Sequence, residues 1–517
     1  MTINSEVLMP TTTSGAELRA LLDDPDRELA VLDLRSPLER TTGHLALSAG
    51  LPYHDLEQRV HELVPHHATT IVLASGRPLD DRGAALLEAL GYRDVRLLED
   101  GLDSWTAAGE RLYTGTNVRS KTLGEWIEAE FSTRTIDSET VQAWRDAGED
   151  VVVLDSRPHT EYVHHHVAGG LDTGGGAELA YRGLQAVSGP DTKIVVNCAG
   201  RTRGIVGAQS LVNTGIVNPV YSLHNGTPAW GWAGLTIEGG DGQPLAAPAE
   251  IGDDLRKWAQ QTLESADAEV IGAARLAELQ ADAGRTTYVI DVRRPEEHAA
   301  GHVRGSRSVQ GGQLVQGTDE QLAVRRSTVV LVDTEDLLRS ASTVQWLRYL
   351  HDGPLRVLVV DESAGTEPTP TPLPEVPVVS ADALRPGDRV LDLRSSEAYA
   401  AGHLPGSVHA RREHLAELLR DAPAVLVGDA SYQPHFAAAE ANAAGASVQV
   451  LDGGVEAVAD RLTDADPQYA GDVVDQTGPP PFGPDRDQWY RDYFDWEYSL
   501  VPASTGDRDF AFEEKRP

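Results

Sequence analysis

The sequence predicts an α/β protein in which one structural unit is used four times. Three observations carry this. A short apolar strand ending in Asp-x-Arg recurs at domain-sized intervals, followed each time by an acidic residue, a His before an aliphatic residue, and a second apolar strand. Strands alternate with stretches of helical spacing, which implies a parallel sheet flanked by helices in every unit. A chain of 517 residues is also too long for a single core.

In chain order, copy one contains Val31-Leu32-Asp33-Leu34-Arg35, Glu39, Gly43-His44-Leu45 and the strand Ile71-Val72-Leu73. Copy two has Leu154-Asp155-Ser156-Arg157, Glu161, His165-His166-Val167 and Ile194-Val195-Val196; copy three has Ile290-Asp291-Val292-Arg293, Glu297, Gly301-His302-Val303 and Val329-Val330-Leu331. Copy four has Leu391-Asp392-Leu393-Arg394, Glu397, Gly402-His403-Leu404 and Val425-Leu426-Val427. Between copies, Arg119 to Arg134 reads as a helical connector, GGDGQPLAAPAE as a linker, and Asp253 to Glu264 as a helix leading into copy three. The alternating prolines of Glu367 to Pro377 predict a stiff extended linker before copy four. After Pro479-Pro480-Pro481, Trp489, Tyr493, Trp496 and Leu500 lie at helical spacing in a chain with only 6% aromatic residues, so the tail predicts a helix that packs on the body or on a partner.

Composition excludes several classes of function. The formal charge of -36 argues against nucleic acid and anionic membrane as partners, since either needs a basic face. Met1 to Gly15 lacks a basic start and an apolar core, and no later run approaches a membrane span, so a cytoplasmic protein is expected. A single cysteine rules out an internal disulfide framework and any multi-thiolate zinc site. His164, His165 and His166 are consecutive and do not converge on one face, so no metal and no cofactor is expected.

That one cysteine, Cys198, follows Ile194-Val195-Val196 in KIVVNCAGRTRG, and helical spacing resumes after Gly204. Its place is a strand-to-helix loop. A lone Cys after a buried strand is ordinarily inert. Here, loop N–H groups, the start of the following helix and the charges of Arg201 and Arg203 all favour thiolate over thiol. Asp-x-Arg and His occur in all four copies and read as structural, whereas the cysteine position is Ser75 in copy one, Asp333 in copy three and Asp429 in copy four.

These residues resemble the rhodanese family, in which Asp-x-Arg, Gly-His-aliphatic, the cysteine loop and a late Gly-x-x-x-Trp segment recur. The last is visible as Gly101 to Trp105 and Gly226 to Trp230. The resemblance implies four rhodanese-like domains over 15–116, 136–240, 265–364 and 378–463, with an aromatic tail at 479–517. It also implies two tandem pairs, with copy one walling off the site of copy two and copies three and four serving as a docking or homodimer surface. The implied activity is sulfur transfer through a Cys198 persulfide. Ala199, Gly200, Thr202 and Gly204 would cradle the transferring sulfur, Arg201 and Arg203 would bind the donor's sulfonate, and Arg182 would reach the pocket mouth or lie in solvent. Related phosphatases carry an arginine six places after the cysteine, where this chain has Gly204, so phosphate chemistry is disfavoured. Two arginines favour thiosulfate over mercaptopyruvate as the small anionic donor. With no second thiol, the acceptor is an external thiol or cyanide. The alternative is a non-catalytic sulfur carrier or scaffold.

Overall fold

A computed structural model describes residues 11–240, 242–367, 371–385, 387–419 and 422–515. Met1 to Pro10 of the leader reading and Pro368 to Pro370 of the proline linker lie outside the described residues.

Each copy forms the same parallel sheet. In copy two the strands Thr135–Ile136, Val220–Leu223, Lys193–Asn197, Val151–Asp155 and Leu171–Asp172 pair in that spatial order. Copy three repeats it with Glu269–Ile271, Leu355–Val359, Thr328–Asp333, Thr287–Asp291 and Arg307–Ser308. Copies one and four follow the same order around Thr70–Leu73 and Ala424–Val427. The strand before the cysteine position is therefore central in every sheet. Its residues Ile194, Val195 and Val196 are wholly buried, which explains the unbroken apolar run: both faces are covered by helices.

The Asp-x-Arg element is a clamp at the end of its strand. Arg157 grips Asp155 through two parallel bonds (2.8 and 2.7 Å) and donates onward to the carbonyl of His165 at 2.7 Å. The equivalent arginines Arg35, Arg293 and Arg394 reach the carbonyls of Gly43, Gly301 and Gly402. One ring nitrogen of His166 lies 2.9 Å from the Tyr162 carbonyl, and His44, His302 and His403 repeat the contact four residues back. These residues hold the loop after the first strand against its sheet.

Strand pairing also fixes which residue stands where Cys198 stands. Asp155 pairs with Asn197, Asp291 with Val332 and Leu32 with Leu73, which puts Asp333 and Ser75 at the cysteine position. In copy four, Asp392 pairs with Val427, so the equivalent residue is Gly428. Asp429 lies one place beyond. The carbonyl of Gly428 accepts from Val455 as that of Cys198 accepts from Thr227, which confirms the register.

The chain divides into two compact units, and these are not the sequential pairs. One holds copies one and four; the other holds copies two and three with the C-terminal segment from Pro479. In the first, Arg412 pairs with Glu57 at 2.6 Å, and Arg82 and Tyr53 both reach Glu440. In the second, copy two meets copy three where Gly176 and Gly312 approach backbone to backbone. The sequence shows covalent order, but pairing is decided by these buried ion pairs and close glycine contacts.

The connector helix, observed at Val118–Phe131, is no mere spacer. Every residue from Ser120 to Ile127 is buried, polar ones included. A methyl group on Gly124 would lie 2.8 Å from the Thr202 side chain, so this helix presses directly on the cysteine loop.

Candidate active site

Cys198 directly follows its strand, and the next helix runs Thr202–Asn213, starting three residues before the sequence pattern suggests. Arg203 is therefore in the first helical turn. Gly200 donates its N–H to Cys198 Sγ at 3.3 Å, and a methyl group on Gly204 would lie 3.6 Å from that sulfur. The thiol thus sits over the helix N-terminus, where unpaired N–H groups favour an anion. Gly226 (φ 55°) closes the loop from behind: a side chain there would come within 2.3 Å of the Cys198 carbonyl.

The two loop arginines have different fates. Arg203 is paired bidentately with Glu161 (2.6 and 2.8 Å), also reaches Gln313 of copy three at 3.3 Å, and is the cation whose charge acts on the thiol. Arg201 is only 3% exposed and is held by Glu125 (2.7 and 2.9 Å) and Glu128 from the connector helix, with Tyr498 Oη at 2.8 Å. Two carboxylates share the Arg201 charge where one faces Arg203, and both belong to the connector helix, so Arg201 ties the loop to that helix. Arg182 also departs from its expected place. It is buried, paired with Glu178 at 2.8 Å and Glu297 at 3.1 Å, and joins copy two to copy three instead of standing at the pocket mouth or in solvent.

The thiol itself is 2% exposed. Burial pushes its pKa up, while Arg203 and the N–H groups of Gly200 and Gly204 pull it down; burial wins, so the resting group is a thiol. This corrects the expectation of a standing thiolate, because desolvation by covering elements cannot be read from the loop's own charges. Ala199 is half-buried in the loop, and Thr202 turns its hydroxyl outward from the sulfur to Glu497, 2.6 Å away.

What covers the thiol is the C-terminal helix, Pro484–Ser504. Its buried face is Tyr490, Phe494, Glu497 and Leu500, the first three one position round from the predicted stripe; Trp489 and Trp496 lie on its flank. The sequence flagged this helix by aromatic density alone, and Glu125, Glu128, Glu161 and Glu497 carried no local signal as site residues. Copy three has a carboxylate where copy two has sulfur: Asp333 is buried and paired with Arg339 at 2.9 Å. In copy one the place of Arg203 is taken by Asp80, whose carboxylate accepts the N–H groups of Ser75 and Gly76.

Among the described residues, no cluster of three or more His, Cys, Asp and Glu side chains could hold a metal ion, and no helix is long and apolar enough to cross a membrane.

A shared sheet order, a conserved clamp and a thiol cradled at a helix start define a class. The rhodanese-like domain family matches residues 14–108, 137–232, 273–363 and 380–461, and the chain belongs to the rhodanese family. Among solved structures, a thiosulfate sulfurtransferase from Pseudomonas aeruginosa superposes with a TM-score of 0.89 at 38% identity, covering 97% of this chain and 98% of that one. Family and neighbour together support a sulfurtransferase. The anaerobic ergothioneine biosynthesis enzyme from Chlorobium limicola, in complex with trimethyl histidine, matches at 14% identity (TM-score 0.25; 70% of this chain, 100% of that one). A rhodanese-like domain from Anabaena matches at 20% identity (TM-score 0.18; 23% and 95%). Neither of these two informs the site. No curated protein sequence matches the chain.

Proposed function

We propose that this chain transfers sulfane sulfur from thiosulfate to an external thiol or cyanide through a persulfide on Cys198. The observation that carries the reading is the only thiol of the chain, seated at a helix N-terminus beside Arg203. The thiol first gives its proton to solvent. The thiolate then attacks the outer sulfur of thiosulfate, the S–S bond of the donor breaks, and sulfite leaves with the bonding pair. The product is a persulfide anion, which the Gly200 and Gly204 N–H groups and Arg203 are placed to stabilise. An acceptor nucleophile takes the outer sulfur and returns the thiolate.

Arg203 is the donor-binding cation in this scheme, and Arg201 acts through loop position. The cytoplasm is the proposed compartment, and the proposed domain boundaries are those of the four repeats. Steady-state turnover separates an enzyme from a sulfur carrier: with thiosulfate and cyanide in excess, thiocyanate should form many times per chain. Formation of a single equivalent would mean a carrier, and none at all would refute the reading. Comparing kcat/KM for thiosulfate with that for mercaptopyruvate tests the donor.

A further inference from the structure

We propose that the C-terminal helix Pro484–Ser504 is the specificity wall of the Cys198 site, with the Tyr493 and Phe494 rings setting how bulky a donor or acceptor can reach the sulfur. The inference rests on the reading of Cys198 as the sulfur-transfer nucleophile and adds the element that decides what that nucleophile meets.

The rings lie directly over the loop. A methyl group on Gly200 would be 3.5 Å from Tyr493 Cε1 and 3.6 Å from Phe494 Cε1, which is van der Waals contact. The helix is anchored on both sides of them. Towards its start, Trp232 donates to Asp487 at 2.9 Å, and the Trp232 and Phe494 rings meet edge to face at 5.9 Å. Towards its end, Thr202 donates to Glu497, and Tyr498 accepts from Arg201 and donates to Asn225 at 3.1 Å. Lys121 of the connector helix sits over the Tyr493 and Trp496 rings at 5.0 and 4.9 Å, holding them from the far side.

The wall suits a small anion. Burial, with Glu497 close by, raises the Tyr493 phenol well above its ordinary range, and burial raises Tyr490 too, so both stay neutral. These two rings therefore place no charge of their own over the loop. The carboxylate of Glu497 is turned aside to Thr202, with Tyr493 Oη 3.3 Å away. Rigid rings over a nucleophile discriminate by size, since a misfit of a single methylene against an apolar wall is worth about 10- to 200-fold.

Because the chain has one thiol, alkylation reports on Cys198 alone and needs no sulfur transfer. Rate constants for iodoacetamide and for a dansylated maleimide would be measured on the full chain by intact mass. In Tyr493→Ala/Phe494→Ala, the bulky-to-small rate ratio should rise about tenfold, and kcat/KM for benzenethiosulfonate relative to thiosulfate should rise by a similar factor. The milder Tyr493→Leu should move both ratios the same way by roughly threefold. Ratios unchanged within about a factor of two in both variants would overturn the wall. If the labelling ratio shifts while thiosulfate modifies no form of the protein, the wall stands and the sulfur-transfer reading falls.

Discussion

Replacing Arg203 with Met removes a cation acting on the thiol and keeps the side chain's bulk. A full positive charge beside a buried thiolate stabilises it by up to roughly 3 kcal/mol at an effective dielectric near 20, and Glu161, bonded to Arg203, offsets part of this. Burial already holds the Cys198 thiol above the ordinary range, and Arg203 is the first group opposing that. Its loss therefore moves the pKa further up, and the thiolate fraction at pH 8 falls. A more basic thiolate is also a better nucleophile, and with a Brønsted slope near 0.5 about half of the loss, on a logarithmic scale, is returned. The net expectation is a rate up to about tenfold lower at pH 8, with the rise of rate with pH displaced upward. The assay is thiol–disulfide exchange of the full chain with hydroxyethyl disulfide, followed by intact mass across pH 7 to 10. The variant also strips Glu161 of its partner, and burial then raises that carboxyl towards neutrality. Arg203→Met/Glu161→Gln should therefore behave like the single variant. A profile for Arg203→Met that overlays the wild type would refute the assignment of Arg203 as the charge that activates the sulfur.

Arg201→Met should leave the pH profile of that reaction in place but lower the stability of the unit holding copies two and three by about 3–5 kcal/mol, because it strands the buried Glu125 carboxylate; urea unfolding reads this. Gly226→Ala forces a methyl group to within 2.3 Å of the Cys198 carbonyl and should displace the loop, lowering kcat/KM for the sulfur donor at least about tenfold. A Ser75→Cys/Cys198→Ser chain should gain no sulfur from thiosulfate, since the loop N–H groups of copy one are already taken by Asp80; intact mass is the readout.

The repeat, the strands and the cysteine loop were legible because each rests on neighbours in sequence: Asp155 and Arg157 are two apart, and Ile194 to Cys198 is one strand and its end. What the sequence left hidden depends on partners far along the chain. Arg201 and Arg203 look alike locally, and it is Glu125 and Glu128, on a helix some seventy residues earlier, that tie Arg201 to the connector helix. Arg182 is buried because Glu297 of copy three comes to meet it. Copy four's Gly428 was one place from the expected Asp429 because a loop without a cysteine offers no landmark, and strand pairing supplies one. The C-terminal helix turns Leu500 inward as its spacing suggests, but its other inward residues, Tyr490, Phe494 and Glu497, stand one position from Trp489, Tyr493 and Trp496, because aromatic residues occupy nearly every turn.

The most direct measurement is the mass of the intact chain after incubation with thiosulfate, read beside the sulfite released. Wild-type protein should gain one sulfur atom per chain and release an equal amount of sulfite, and Cys198→Ser should do neither. Sulfite released by Cys198→Ser at the wild-type rate, or a wild-type chain that stays unmodified, would contradict it.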